Sequence, residues 1–245
     1  MKIIISKNKE ENGRVAAEKA TEILKKILNS QDNLRFVAAT GASQFEFLNH
    51  LTKIRGIDWE RMEMFHLDEY IGLSPDHPAS FRNYLQKRIV NKVNLGKEHF
   101  IKGERKDPRD ECKRLNKLIL KSPIDISFIG IGENGHIAFN DPPANFETEK
   151  PYIIVDLDEK CRNQQVNEGW FKDLNDVPKQ AISMSVKQIM KSDYIICIVP
   201  EKRKAIAVQN CLSEDAKISP EYPASILKKH QKCYIFLDEG SASLL

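Results

Sequence analysis

Apolar residues along this chain gather in short strand-like runs, at positions 3–5, 34–39, 62–67, 124–129, 195–199 and 233–237. Several of them, such as 195–199 and 233–237, are almost unbroken, which marks strands of a parallel sheet covered on both faces. Between them the spacing becomes helical. Ala16, Ala20, Ile23, Leu24 and Ile27 form one stripe, Leu115, Leu118 and Ile119 begin a second, and Ala205, Ile206 and Val208 open a third. Strand alternating with helix predicts an α/β fold: one domain over residues 1–245, with a mostly parallel, doubly wound, Rossmann-like sheet and helices on both faces. No internal repeat, low-complexity tract or Gly/Ser-rich linker divides it.

In such sheets ligands bind beyond the carboxyl ends of the strands, so chemistry is sought just after each run. The segment after residues 124–129 carries Gly130, Gly132, Gly135, His136 and Asp141. Glycines let the backbone turn and approach a ligand closely, and imidazole takes and gives protons near neutral pH. The glycines also spell G-x-G-x-x-G, with Asp156 after the apolar residues Tyr152, Ile153, Ile154 and Val155, as a dinucleotide fingerprint asks. That fingerprint needs its last glycine to open a long helix, and Pro142-Pro143 interrupts the segment at once. A nicotinamide site is therefore the weaker reading.

Three other strand ends carry candidate groups. Thr40, Gly41, Ala42 and Ser43 lead into a helical pattern, where they suit either phosphate binding by free N–H groups or a plain helix cap. Asp68 and Glu69 follow residues 62–67, at a place that suits a general base or an ordinary helix-start acid. Lys204 follows Pro200, at a helix start where a cation opposes the macrodipole unless an anion holds it there. Taken together, these groups point to proton transfer on a phosphorylated small molecule.

Composition narrows the partners. Hydrophobic residues at 41% and charged residues at 30% are ordinary for a globular chain, and a formal charge of +3 is too small and dispersed to imply nucleic acid. Lys25-Lys26, Lys202-Arg203-Lys204 and Lys228-Lys229 read as solvated helix faces or ends. No apolar run approaches the ~18 residues of a membrane span, and the opening apolar segment is too short for a signal peptide. Cys112, Cys161, Cys197, Cys211 and Cys233 form no C-x-x-C pair, which fits a reducing cytoplasm. The six histidines are dispersed, so no metal site is expected.

At this level of detail the chain resembles the glucosamine-6-phosphate deaminase (isomerase) family nearly end to end. The resemblance is carried by Thr40-Gly41, by Leu67-Asp68-Glu69-Tyr70 with His77-Pro78-Ala79-Ser80, and by Gly130-Ile131-Gly132 through Gly135-His136-Ile137-Ala138-Phe139-Asn140. Val177-Pro178-Lys179, Lys204-Ala205-Ile206-Ala207 and the closing Ser241-Ala242-Ser243 follow in order. The resemblance implies cofactor-free conversion of glucosamine 6-phosphate and water to fructose 6-phosphate and ammonia. It implies that His136 assists ring opening, that Asp68 moves a proton between carbons 2 and 1, and that a carboxylate steadies His136. Thr40, Gly41, Ala42, Ser43, Gly135 and Lys204 would bind the substrate, and a homo-oligomer is left open.

Three positions depart from that family's pattern. Asn134 stands where an aspartate is usual, Asp141 where a glutamate is usual, and Glu168 where an arginine is usual before Val177-Pro178-Lys179. Arg162 is the nearby candidate to replace that arginine. Asn134 and Asp141 nonetheless remain in the expected catalytic set with Asp68 and His136. The competing readings are a hydrolase like the related 6-phosphogluconolactonases, disfavoured by Ile137-Ala138-Phe139-Asn140, and a non-catalytic sugar-phosphate sensor.

Overall fold

Each of the six apolar runs becomes a strand of one parallel sheet. The computed structural model describes residues 1–245. In chain order the strands are β1 (Lys2–Ser6), β2 (Leu34–Ala38), β3 (Met62–His66), β4 (Asp68–Tyr70), β5 (Lys97–His99), β6 (Ile126–Ile129), β7 (Tyr152–Asp156), β8 (Gln180–Met184), β9 (Tyr194–Val199) and β10 (Cys233–Asp238). The helices are α1 (Lys9–Leu28), α2 (Phe45–Leu51), α3 (Phe81–Leu85), α4 (Pro108–Ile119), α5 (Glu159–Asn167), α6 (Val186–Met190) and α7 (Ala205–Leu212).

Seven strands pair in the order β1-β10-β9-β6-β2-β3-β5, every neighbour parallel. From β2 the chain moves outward to β3, and from β6 it moves the other way to β9. The switch therefore lies between β2 and β6, where their carboxyl ends part and leave a crevice. Strand pleating divides the core in two. Leu34, Phe36 and Ala38 of β2 face α1 and α2, with Phe47 and Phe128, while Val37 faces the opposite layer with Leu115, Ile189 and Val208. The third helical stripe differs from expectation at Ile206, which is 64% exposed, while Ala205, Ala207 and Val208 turn inward.

The hydrophobic pattern did not disclose a second sheet. β4, β8 and β7 pair antiparallel in that order, and only Leu67 separates β4 from the end of β3. A small cluster covers this sheet, including Tyr70, Phe81, Phe139, Phe171 and Val177. No helix is long and apolar enough to cross a membrane.

Candidate active site

The ends of β2, β3, β6 and β9 open on one cleft. Its walls include Thr40, Gly41, Ala42, Ser43, Asp68, Gly132, His136 and Lys204, so the structure brings together most of the residues singled out in the sequence.

After β2 the chain turns at Gly41, whose φ of +94° is costly for a residue with a Cβ. A short 3₁₀ turn, Ala42–Gln44, then runs directly into α2. At such a start the first N–H groups have no partner within the helix, which leaves Ala42 and Ser43 able to donate to an anion. The loop is fixed from both sides. Tyr84 Oη donates to the Gly41 carbonyl at 2.9 Å, and Gln44 Nε2 donates to the Ile129 carbonyl at 3.3 Å.

After β6 the glycines serve the histidine. A Cβ on Gly132 would stand 2.3 Å from the His136 ring, so only glycine leaves room for the imidazole there. Nδ1 of His136 lies 2.9 Å from Asp141 Oδ1 in a buried pair, which leaves Nε2 as the nitrogen free for substrate. Asp141 also accepts from Asn134 Nδ2 at 2.9 Å and from the Asp158 N–H at 3.1 Å. Burial favours the protonated acid, but the contacts with His136, Asn134 and Asp158 outweigh it and hold the Asp141 carboxyl below its ordinary range. Asn134 does not stand in for a second acid. Its Nδ2 also donates to Asp158 Oδ2 at 3.1 Å, and its Oδ1 accepts from the His136 N–H at 3.1 Å, so the amide ties two carboxylates to the histidine turn. Gly135 lies outside the cleft wall. Its φ is +85°, a Cβ there would meet Cys211 Sγ at 3.0 Å, and its carbonyl accepts from the Ala224 N–H at 2.9 Å, so it shapes the turn.

Asp68 is buried at the cleft with no hydrogen-bond partner. Burial, and then the charge of Glu69, push its carboxyl up to about 8. Glu69 points to the other side of β4. Its carboxylate accepts from Ser80 Oγ and from the N–H groups of Tyr70, Phe81 and Arg82, fastening the start of α3 to the strand that bears Asp68.

After β9 the chain passes through Glu201, whose φ of +81° is strained for a residue with a side chain. The Glu201 N–H donates to both carboxylate oxygens of Asp238 at 3.0 Å, which holds the turn. Lys204 follows, 3% exposed, and its ammonium makes no hydrogen bond or ion pair to the protein. Burial lowers its ammonium to about 8, against the attraction of Glu168. An unpaired buried cation at the wall of a cleft is a site prepared for an anion.

Arg162 does not take the place of the usual arginine. It donates to the carbonyls of Leu174 and Val177, away from the cleft. The residue that enters the wall is Arg203, read from the sequence as part of a solvated basic run. Gln164, Gln165 and Glu168 also enter it, from α5 and the residue after it. No local signal marks these residues, because α5 reaches the cleft only through the second sheet. His136, Asp141 and Cys161 have potential ligand atoms within 4.8 Å of one another, the spacing of a metal site. Burial and the neighbouring Asp141 and Asp158, however, push the Cys161 thiol well up, so it keeps its proton and is a poor ligand. No helix follows Gly135 either: residues 136–151 form turns and one isolated bridge, which removes the dinucleotide reading.

Taken with the strand order, this cleft defines a doubly wound α/β protein that sets proton-transfer groups beside an anion site. The family model for glucosamine-6-phosphate isomerases/6-phosphogluconolactonase matches residues 7–235, and the chain belongs to that family. It is 37% identical over 251 aligned positions to the glucosamine-6-phosphate deaminase of Thermoanaerobacter sp. (strain X514), covering all of this chain and 95% of that one. It is 35% identical over 245 positions to the enzyme of the same name from Streptococcus pyogenes serotype M1, covering both chains fully. Among solved structures, a monomeric glucosamine-6-phosphate deaminase superposes with a TM-score of 0.89 at 30% identity over the whole of both chains. The 6-phosphogluconolactonase of Trypanosoma brucei superposes with a TM-score of 0.81 at 15% identity, covering all of this chain and 98% of that one, a likeness of fold alone.

Proposed function

We propose that this chain converts glucosamine 6-phosphate and water to fructose 6-phosphate and ammonia. The observation that carries the reading is one cleft holding three complementary groups: an unpaired buried ammonium, Lys204, an unpaired buried carboxylate, Asp68, and an imidazole backed by a carboxylate, His136 with Asp141. The full-length likeness to glucosamine-6-phosphate deaminases supports the same substrate.

The phosphate would sit on the N–H groups of residues 41–43 and on Lys204, anchoring the sugar so that its reacting end is oriented. Nε2 of His136 would take the proton of the ring hydroxyl on carbon 1 and return one to the ring oxygen, opening the pyranose. Asp141 would steady the imidazolium formed in passing, as the acid of a catalytic triad does. Asp68 would then remove the proton on carbon 2 and deliver it to carbon 1 through an enol-type intermediate. Carbon 2 becomes an iminium, water adds to it, and ammonia leaves.

A carboxyl raised to about 8 is a stronger base than an ordinary one, and its ionised fraction grows with pH up to that value. The acid limb of kcat/KM in the free enzyme should therefore lie well above the usual carboxylate range. The five cysteines are unpaired thiols, which supports a cytoplasmic setting. The deciding experiment is ammonia release from glucosamine 6-phosphate, with galactosamine 6-phosphate and 6-phosphogluconolactone alongside. Release from an amino-sugar phosphate supports the deaminase. Lactone hydrolysis without ammonia, or binding without either, would replace it with the lactonase or the sensor.

A further inference from the structure

Lys204 is not the only cation at the cleft. Arg203 is held by three carboxylates: its Nε donates to Glu201 Oε2 at 2.7 Å, and its Nη1 donates to Glu133 Oε1 and to Glu168 Oε1, each at 2.7 Å. Nη2 is the guanidinium nitrogen left without a protein partner. The clamp is itself fixed, because Glu168 is 8% exposed and accepts from Gln164 Nε2 at 2.8 Å and from Trp170 Nε1 at 3.1 Å. Burial would raise the Glu168 carboxyl, but Arg203, Lys204 and Gln164 hold it below its ordinary range, so it stays charged at the cleft wall.

Two features make this more than a surface ion-pair network. A sugar phosphate carries about two negative charges near neutral pH, and Lys204 supplies one positive charge. Glu168 also lines the cleft beside Lys204 and would repel that phosphate unless a cation screened it. A guanidinium pinned on two of its nitrogens presents its third in a fixed direction, with little entropy left to lose on binding.

Building on the sugar-phosphate reading of the cleft, we propose that Arg203 is a second phosphate-binding residue, donating from Nη2, and that Glu168 is the positioning residue that aims it. Affinity for the phosphoryl group then depends on the Arg203–Glu168 pair as a unit. Removing Arg203 alone leaves a bare carboxylate beside the phosphate, whereas removing both charges does not.

The test measures binding of glucosamine 6-phosphate, inorganic phosphate and unphosphorylated glucosamine by calorimetry at fixed ionic strength, with steady-state kinetics, on Arg203→Gln, Arg203→Lys, the double variant Arg203→Gln/Glu168→Gln, and Lys204→Ala. Arg203→Gln should weaken both phosphate-bearing ligands about 10- to 100-fold, the size of one charge-assisted hydrogen bond. It should raise KM far more than it lowers kcat and leave glucosamine unchanged. The double variant should bind glucosamine 6-phosphate more tightly than Arg203→Gln alone. If Arg203→Gln does not fold, Arg203→Lys, which keeps the charge and loses the fork, should show the same selectivity at reduced size. Phosphate affinity within twofold of the parent in the Arg203 variants, while Lys204→Ala loses it, would overturn the role of Arg203 and leave the cleft reading intact. Equal loss for glucosamine and its phosphate would mark Arg203 as a structural counter-ion and also overturn the proposal. If Lys204→Ala, too, treats both ligands alike, the sugar-phosphate reading itself falls.

Discussion

The two sheets of this molecule divide the work unequally. The parallel sheet is closed on both faces by apolar layers, and its strand ends carry a loop, a glycine turn and two cations that are fixed by packing beneath them. The antiparallel sheet has three short strands and a small aromatic cluster, yet it carries Asp68 and holds the histidine loop from the side. Phe139 N–H donates to Ser183 Oγ at 3.0 Å, and Asn140 Nδ2 donates to the Met184 carbonyl at 2.9 Å. The strand bearing the proposed base thus lies at the junction: β3 belongs to the floor, β4 to the wall, and Leu67 is the single residue between them. Stability should be set mainly by the floor, while the wall contributes the proposed base and braces the histidine loop. Each prediction tests that division.

The largest effect is expected at Asp68. Asp68→Asn should lower turnover about 10²–10⁴-fold while glucosamine 6-phosphate still binds. The same change should raise stability, and by more at higher pH. Between the ordinary value of 3.8 and the folded value of about 8, the unfolded chain has lost a proton that the folded chain keeps. Parent stability therefore falls as pH rises through that window. Asparagine does not titrate, so the gap in Tm between variant and parent should widen from pH 5 to pH 8. A constant gap would remove burial as the cause, and a near-normal rate would remove Asp68 from the mechanism.

Phenylalanines in the two cores give the direct contrast. Phe128 is 1% exposed, with Phe47 and Phe36 ring centroids 5.1 and 5.8 Å away. Phe171 is 7% exposed and packs edge-on against Tyr70 at 5.5 Å. Phe128→Ala should cost about 3–5 kcal/mol in urea unfolding, and Phe171→Ala clearly less. Equal costs would mean that the wall is built into the fold as firmly as the floor.

That contrast also explains what the sequence disclosed. A strand buried on both faces needs apolar residues at nearly every place, so Ile195 to Val199 and Cys233 to Leu237 announce themselves. β4 reads Asp-Glu-Tyr, and β5 at the sheet edge reads Lys-Glu-His, because one is a functional junction and the other faces solvent on one side. Local composition cannot reveal either. The site follows the same rule. Asp68, His136 and Lys204 stand at the ends of legible strands, where the sequence singles them out, and they share one cleft. Arg203 sits in a basic run that looks solvated and is indeed exposed, and what draws its guanidinium to the cleft wall is Glu168, the residue after α5, beyond the second sheet. Asn134 shows a different limit. Its type suggests a weaker substitute for an acid, whereas its hydrogen bonds make it the donor that joins Asp141 to Asp158.

A moderate effect follows from that arrangement. Asn134→Asp is nearly isosteric but replaces a bridging donor with a third carboxylate. It should destabilise the protein by about 1–3 kcal/mol near pH 8, the cost of losing a buried hydrogen-bond partner. The loss should shrink toward pH 4, where protonation restores a donor. Chemical denaturation at both pH values checks the sign. Unchanged stability at pH 8 would show that Asp141 and Asp158 do not need the amide between them.

The smallest effect is expected at Ser183, where wall and histidine loop meet. Its Oγ accepts from the Phe139 N–H and donates to the Met184 carbonyl at 3.2 Å, and the residue is fully buried. Ser183→Ala leaves the Phe139 N–H without a partner, which should cost about 1 kcal/mol. The imidazole itself should hold its place, because Asp141 and the glycine turn fix it from the parallel-sheet side. Turnover should therefore change little, while hydrogen exchange at the amides of residues 137–140 speeds up and that of β2, β6 and β9 does not. Faster exchange spreading into the parallel strands would mean that the two sheets open as one cooperative unit. A large fall in turnover would mean instead that the wall, and not the glycine turn beneath it, sets the position of His136.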